Sequence, residues 1–353
     1  FNSIEFAAFF FCVLILYTLV FYRERWRDVL LLGASYFFYM SWNWKYAGLL
    51  AFSTLVDYSV GLVLAREQRP RARLGILVVS LTSNLGLLGL FKYYNFFMDV
   101  SAPAMAFFGW DMSLLRHELL LPVGISFYTF QTMSYTIDIY RGENVLERSF
   151  LKFAVFVAFF PQLIAGPIVR ATQFLPQLHH LPHVTSQRFH EGLFLVFKGL
   201  SKKVLIADLL ATLAVDNIFT HPLTFSSWDL LIGLYAYTFQ IYYDFSGYSD
   251  IAIGLAKMLG YDLPQNFNRP YLSQNVREFW TRWHISLSTW LRDYLYISLG
   301  GNRVAPWRVK MNLMITMFLG GLWHGAALHF ICWGLYHGFL LSISRQGPKT
   351  EVS

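Results

Sequence analysis

MNLMITMFLGGLWHGAALHFICWGLYHGFLL, from Met311 to Leu341, is the stretch whose reading decides the fold. It is 31 residues long, whereas one helix needs only about 20 to cross a bilayer. Gly320, Gly321, Trp323, His324 and Gly325 interrupt it in the middle. That pattern predicts a broken helix or a tight helical hairpin with His324 at the break. Irregular backbone at membrane depth persists only where protein buries it or where it lines a cavity, and an ionisable side chain there marks function. His324 is therefore expected at the centre of a reaction chamber.

The rest of the chain has the composition such a chamber needs. Of 353 residues, 56% are hydrophobic, 19% aromatic and 14% charged, with mean hydropathy +0.42. This excludes an ordinary soluble domain and predicts an all-α, polytopic membrane bundle in a single domain, residues 1–353, of nine to twelve helical segments. A net charge of +7 and pI near 9.3 would suggest nucleic acid in a soluble protein. Here the basic residues sit between apolar segments, where topology and anionic lipid explain them, so nucleic acid is set aside. Cys12 and Cys332 fall inside apolar segments and are expected to be small core residues. Phe6 to Tyr22 lacks a basic leader and a small-residue cleavage pattern, which predicts a retained helix. The absence of an initiator Met leads us to expect trimmed ends.

Spans are predicted at Phe6 to Tyr22, Val29 to Met40, Tyr46 to Leu64, Leu74 to Phe91 and Leu119 to Tyr140, then at Phe150 to Ile164, Gly192 to Val215 and Trp228 to Tyr243. Arg23, Arg25 and Arg27 fill the first loop and Arg66, Arg69, Arg71 and Arg73 the third, against Lys45 in the second. Arg141, Arg148 and Lys152 add to the inner side, and Lys92 and Arg116 to the outer. Positive residues favour the cytoplasmic face, so the N-terminus is predicted outside. The aromatics of the Lys92 to Arg116 segment, Trp110 among them, suit an interfacial layer.

Several segments carry polar groups that an apolar helix does not tolerate without a use. Leu119 to Tyr140 contains Pro122, Gly124, Gln131, Ser134 and Asp138, which predicts an enclosed polar interior. Pro161, Gly166 and Pro167 break the next span. Asp244 and Asp250 flank Gly247, and Asn266 follows. Arg277 to Tyr296 scans as one amphipathic helix with Trp280, Trp283, Leu287, Trp290, Leu291 and Tyr294 on a single face and His284 at its edge.

His324 is open to two readings: a buried histidine hydrogen-bonded to backbone, or a base, since a neutral imidazole accepts a proton from a hydroxyl. The flanking glycines permit close approach of a substrate or helix. His284 alone is as well explained by packing as by catalysis. Asp244, Asp250 and Asn266 serve equally as polar glue between helices or as chamber lining. No metal is expected: His324, His329 and His284 lack ligand spacing, and Pro182 breaks the helix that would align His179, His180 and His183. No nucleophile elbow, phosphate loop or Cys-x-x-Cys is present.

The chain resembles the membrane-bound O-acyltransferase (MBOAT) family, in its bacterial branch that acetylates alginate or D-alanylates teichoic acid. The resemblance rests on LPVGISFYTFQTMSYTIDIYRG (Leu121 to Gly142), FFPQLIAGPIVR (Phe159 to Arg170), YYDFSGYSDIAIG (Tyr242 to Gly254), NFNRPY (Asn266 to Tyr271), FWTRWHISLSTWLRDYLYISLGGNR (Phe279 to Arg303) and GGLWHGA (Gly320 to Ala326). It implies that His324 and His284 are catalytic; Gln131, Asp244, Asp250, Asn266, Trp283 and Trp323 are the candidates for lining the chamber around them. His324 is then a general base or a transient acyl carrier, and His284 assists from the donor side. It also implies no bound cofactor, an acetyl-coenzyme A donor on the cytoplasmic side, and transfer to an exported polysaccharide, directly or through an extracytoplasmic partner protein, from the bacterial inner membrane. The competing readings are a D-alanyl transferase fed by an acyl carrier protein and, from another class, a proton-coupled transporter, which also uses broken helices and buried histidines. The family pattern continues with further spans after the W-H-G stretch, so a shortened or truncated member is expected.

Overall fold

The computed structural model describes residues 1–109, 119–143, 145–164 and 166–344. Trp110, Arg116 and the tail from Arg345 to Ser353 lie outside the described residues. Among the described residues the secondary structure is entirely helical. Helix α1 (Ile4–Val20) begins at Ser3, whose hydroxyl accepts the Phe6 N–H. Helices α2 (Glu24–Asn43) and α3 (Ala47–Arg66) are joined by a tight turn in which the Asn43 side chain accepts the Lys45 N–H. Helix α4 (Pro70–Leu88) passes through a π-helical turn, Gly89–Tyr93, into α5 (Tyr94–Phe107). The runs Glu24–Arg66 and Pro70–Phe107, 43 and 38 residues, are each long and apolar enough to cross a membrane by length and composition.

Helix α6 (Ile125–Arg141) starts later than the sequence suggests, because Gly124 adopts φ +78° and ends the preceding turn. The breaker at Pro161 separates α7 (Phe150–Ala158) from the single turn α8 (Phe160–Leu163). Helices α9 (Ala171–Leu178) and α10 (Ser186–Leu200) lead into π-helical turns around the short α11 (Asp208–Leu210) and α12 (Asp216–Thr220). Helix α13 (Ser227–Met258) is followed by α14 (Val276–Arg282), α15 (Ile285–Trp290), α16 (Pro306–His324) and α17 (Leu328–Ile343).

The contacts sort the chain into two units, and the first comprises Phe1–Ser80 and Phe127–Asn266. Its α10 and α13 cross on glycines spaced seven apart, Gly192 and Gly199 against Gly254 and Gly247. A Cβ on Gly199 would come within 2.5 Å of the Gly247 carbonyl oxygen, and one on Gly254 equally close to that of Gly192. Seven residues is nearly two helical turns, so each pair shares a face and lets two backbones meet. Helix α13 runs unbroken for 32 residues, past the end expected at Tyr243. Its carboxylates are neutralised from α10 and the turn after it: Lys203 Nζ lies 2.6 Å from Asp244 and Lys202 Nζ 2.7 Å from Asp250.

Within helix α6, Ser134 Oγ donates to the Gln131 carbonyl at 2.7 Å and Thr136 Oγ1 to the Met133 carbonyl at 3.1 Å. These groups therefore need no enclosed water to be tolerated in an apolar setting. Lys152, counted with an inner basic loop, is instead buried in α7, where Nζ bonds Asp28 at 2.9 Å and the Leu178 carbonyl at 2.6 Å. Cys12 and Cys332 are exposed, not core residues. In helices such as α1 that present Phe11, Leu16 and Leu19 outward, apolar character does not imply an inward position.

The second unit comprises Leu81–Ser126 and Phe267–Ser353. Its centre is the hairpin of α16 and α17, closed by small residues: a Cβ on Gly321 would overlap the Phe330 carbonyl, and one on Gly338 would meet Met314. Packing Gly338 near Met314 and Gly334 near Met317 fixes the two helices as antiparallel neighbours. The amphipathic stretch from Arg277 to Tyr296 is not one helix. It divides into α14, α15 and a π-helical turn, Leu291–Tyr296, because Trp283 is extended and His284 adopts φ +41°.

Candidate active site

The break between α14 and α15 is built by the sequence around it. Asn275 caps α14, accepting the Glu278 N–H at 2.9 Å. At the other end, the Asn268 N–H donates to the Arg282 carbonyl at 2.9 Å and Ser288 Oγ to the Trp283 carbonyl at 3.1 Å. The carbonyls that a continuous helix would have used are thus satisfied by the N-F-N-R-P-Y segment and by a serine of the following turn. A left-handed non-glycine residue costs on the order of 1–2 kcal/mol and occurs preferentially at functional positions. His284 carries that conformation with its side chain 1% exposed.

The break between α16 and α17 is the second component. Helix α16 ends at His324 and the chain leaves it at Gly325 in an extended conformation. His324 then sits among aromatic rings: Trp323 and Trp333 each have centroids 5.1 Å away, the latter edge-on. Its centroid is 6.2 Å from that of His284. Trp323 also lies 6.0 Å from His284, and Phe267 is near-parallel to that ring at 6.5 Å. The two histidines, 40 residues apart in sequence, are brought together by two helix breaks.

A cavity of about 190 Å³ opens beside His324. Leu313, Thr316, Met317, Gly320 and His324 form one stripe of α16 along its wall, spaced three and four apart as a single helix face requires. Eleven residues of helix correspond to about 16 Å of path. Trp280, Leu287, Leu291 and Trp333 supply apolar wall, and Ser288, Tyr296 and Asn302 polar groups. Two guanidinium groups also face it. Arg277 donates to the Leu341 and Ser344 carbonyls at 3.1 Å, and Arg292 pairs with Asp293 at 2.6 Å. His324 is therefore the imidazole with access to a small molecule, and no hydrogen bond engages its ring among the described residues. His284 stands behind it.

Trp323 belongs to this cluster as a packing partner of both histidines, and Trp283, the residue before His284, meets Phe267 edge-on at 5.2 Å. Gln131, Asp244, Asp250 and Asn266 lie in the other unit and are engaged there. Gln131 Nε2 donates to the Phe156 carbonyl at 2.5 Å, the two aspartates pair with lysines, and Asn266 Nδ2 donates to Ser249 Oγ at 3.2 Å. His179 bonds Glu147 at 2.5 Å.

Two residues of the site had no assigned role in the sequence. His337 on α17 packs 4.8 Å from Trp333 and 5.2 Å from Trp280; its place four residues after Trp333 was the available signal. Lys92, read as an outer-loop cation, lies in the π-helical turn Gly89–Tyr93 with Nζ bonded to the Trp323 carbonyl and to Ser126 Oγ. A lone lysine within an otherwise apolar run was the clue there.

A family model described as MBOAT, membrane-bound O-acyltransferase family, matches residues 141–347, which contain both histidines. The chain is 49% identical over 325 residues to a probable alginate O-acetylase AlgI of Pseudomonas aeruginosa, covering 91% of this chain and 61% of that protein. It is 47% identical over 353 residues to the corresponding protein of Azotobacter vinelandii, covering 97% of this chain and 70% of that one. A peptidoglycan O-acetyltransferase of Helicobacter pylori is 39% identical over 338 residues, covering 88% and 63% respectively. The chain thus spans between 61% and 70% of the length of these curated relatives.

Proposed function

This chain belongs to the membrane-bound O-acyltransferase family, and from that premise we propose that it transfers an acetyl group from a thioester donor to a hydroxyl of an exported cell-surface polysaccharide. The observation that carries the reading is His324 on the wall of a cavity, at a helix break, with a second imidazole behind it. In the proposed step His324 accepts the proton of the attacking hydroxyl as its oxygen bonds to the thioester carbonyl carbon. The carbon–sulfur bond then breaks, and the imidazolium returns the proton to the departing thiolate, leaving an ester and a free thiol. His284 supports the ring from behind; its burial and left-handed backbone fix where the pair can stand.

A space of about 190 Å³ favours a short acyl group over a long fatty chain. Among the described residues its wall carries two arginines and no carboxylate, which suits a neutral acetyl better than the ammonium of a D-alanyl group. We place the protein as a multi-pass protein of the bacterial inner membrane with its N-terminus outside, coenzyme A as the donor's carrier on the cytoplasmic side, and transfer to polymer either direct or through an extracytoplasmic partner. Cysteine labelling from intact cells tests the orientation: a Cys at position 69 should be shielded from an impermeant reagent, and its labelling would invert the arrangement.

Mass spectrometry of surface polymers from cells with and without the gene tests the function. Loss of O-acetyl esters from an exopolysaccharide or from peptidoglycan is expected. Loss of D-alanyl esters with acetylation intact would refute the acetyl assignment, and no change in either would favour a transporter.

A further inference from the structure

The W-H-G break has a second layer that the transfer step does not use. Where the chain leaves α16 at Gly325, with φ −165° and ψ 151°, the carbonyls of Leu322 and Trp323 lose the helical N–H donors that would otherwise lie four residues on. Both are satisfied from one distant turn. Tyr93 Oη donates to the Leu322 carbonyl at 2.7 Å, and Lys92 Nζ donates to the Trp323 carbonyl. Lys92 Nζ also bonds Ser126 Oγ at 3.3 Å and stands 5.4 Å from the centroid of the Trp323 ring.

We propose that Lys92, assisted by Tyr93, is a positioning residue for His324. The ammonium group ties together the π-helical turn, the first turn of α6 and the end of α16. A cation at a helix C-terminus is favourably placed against the helix dipole, and it also satisfies a carbonyl that apolar surroundings would leave without a donor. Its grip on Trp323, both at the carbonyl and over the ring, fixes the residue that packs against both imidazoles. The π-helical turn Gly89–Tyr93 brings both donors to that end of α16, and such turns recur at functional sites. Among the described residues neither Lys92 nor Tyr93 belongs to the cavity wall. Their effect on a reaction in the cavity is therefore transmitted through Trp323 and His324.

This inference rests on the acyltransferase reading, and two measurements on the full chain in liposomes separate their failures. The first is turnover of radiolabelled acetyl-coenzyme A by wild type, Lys92→Met, Lys92→Arg and Tyr93→Phe. The second is the rate at which diethyl pyrocarbonate modifies His324, read by peptide mass spectrometry, which needs no activity. Displacing a reacting group by about 1 Å costs on the order of 100-fold in rate. Lys92→Met is expected to lose roughly that much in kcat with KM for the thioester within about twofold, and Lys92→Arg to recover most of it. Tyr93→Phe, which deletes one hydrogen bond and little volume, should lose roughly three- to tenfold. Modification of His324 should accelerate in Lys92→Met and return to the wild-type rate in Lys92→Arg. An unchanged His324 modification rate in both Lys92→Met and Tyr93→Phe would overturn the positioning role, whatever the activity. So would a change confined to KM in an active enzyme. Wild-type protein that turns over no thioester, while the modification rates shift as expected, would count against acyl transfer and uphold the positioning.

Discussion

The imidazoles of His284 and His324 lie with centroids 6.2 Å apart and planes inclined at 51°. Allowing for the ring radii, their nitrogens come no closer than roughly 4 Å, beyond a direct hydrogen bond. They do not form a relay by contact. Trp323 packs against both at 5.1 and 6.0 Å, and His284 is closed off at 1% exposure while His324 faces the cavity. Each ring is therefore placed by its own helix break, and the reacting role falls to the one a substrate can reach.

His284 combines a backbone cost with a side-chain role, and two substitutions separate them. In His284→Ala and His284→Gly the ring is lost equally, but only glycine adopts φ +41° without strain. His284→Gly should be more stable than His284→Ala by about 1 kcal/mol, seen as a higher midpoint of thermal unfolding in detergent. Both should lose transfer activity to a similar extent. Full activity in His284→Gly would reduce His284 to a backbone residue.

Gly320 tests whether the cavity is the working volume. Its missing side chain opens the wall, and a Cβ there would stand 3.1 Å from Leu291 Cδ1. Gly320→Ala should lower activity moderately, and Gly320→Leu should abolish thioester turnover while the protein still accumulates in the membrane. Overpacking of this kind costs roughly 1–3 kcal/mol in stability, so expression level and thermal midpoint should be measured alongside turnover. Retained turnover in Gly320→Leu would place the chemistry elsewhere.

The glycine seam of α10 and α13 should behave in the opposite way. Gly199→Leu forces a side chain into the Gly247 backbone, so it should lower accumulation and thermal midpoint, whereas Gly48→Leu, at a position with open space around it, should leave both unchanged. Equal stability of the two variants would show that the close approach is dispensable.

The hairpin was legible because Gly320, Gly321 and Gly325 surround a histidine in a run too long for one span. The α14–α15 break was not, since the three- and four-residue spacing of Trp280, Trp283 and Leu287 continues across it and a left-handed histidine leaves no mark in composition. The continuation of α13 past Tyr243 is hidden in the sequence because Asp244 and Asp250 look like a polar interruption, whereas in the fold Lys203 and Lys202 neutralise them. The role of Lys92 is hidden as well, because the topology rule counts charges and says nothing of their partners. The pairing of His284 with His324 depends on tertiary contact, and in the sequence only the family motifs point to it.

The most direct test of the central claim is single-turnover transfer from radiolabelled acetyl-coenzyme A by purified wild-type protein and His324→Ala, each checked for membrane accumulation and thermal midpoint. Removing a base from a cavity wall deletes little packing, so His324→Ala should accumulate normally and lose acyl transfer by a factor on the order of 100 to 10,000. Transfer at the wild-type rate by a stably folded His324→Ala protein would contradict the account.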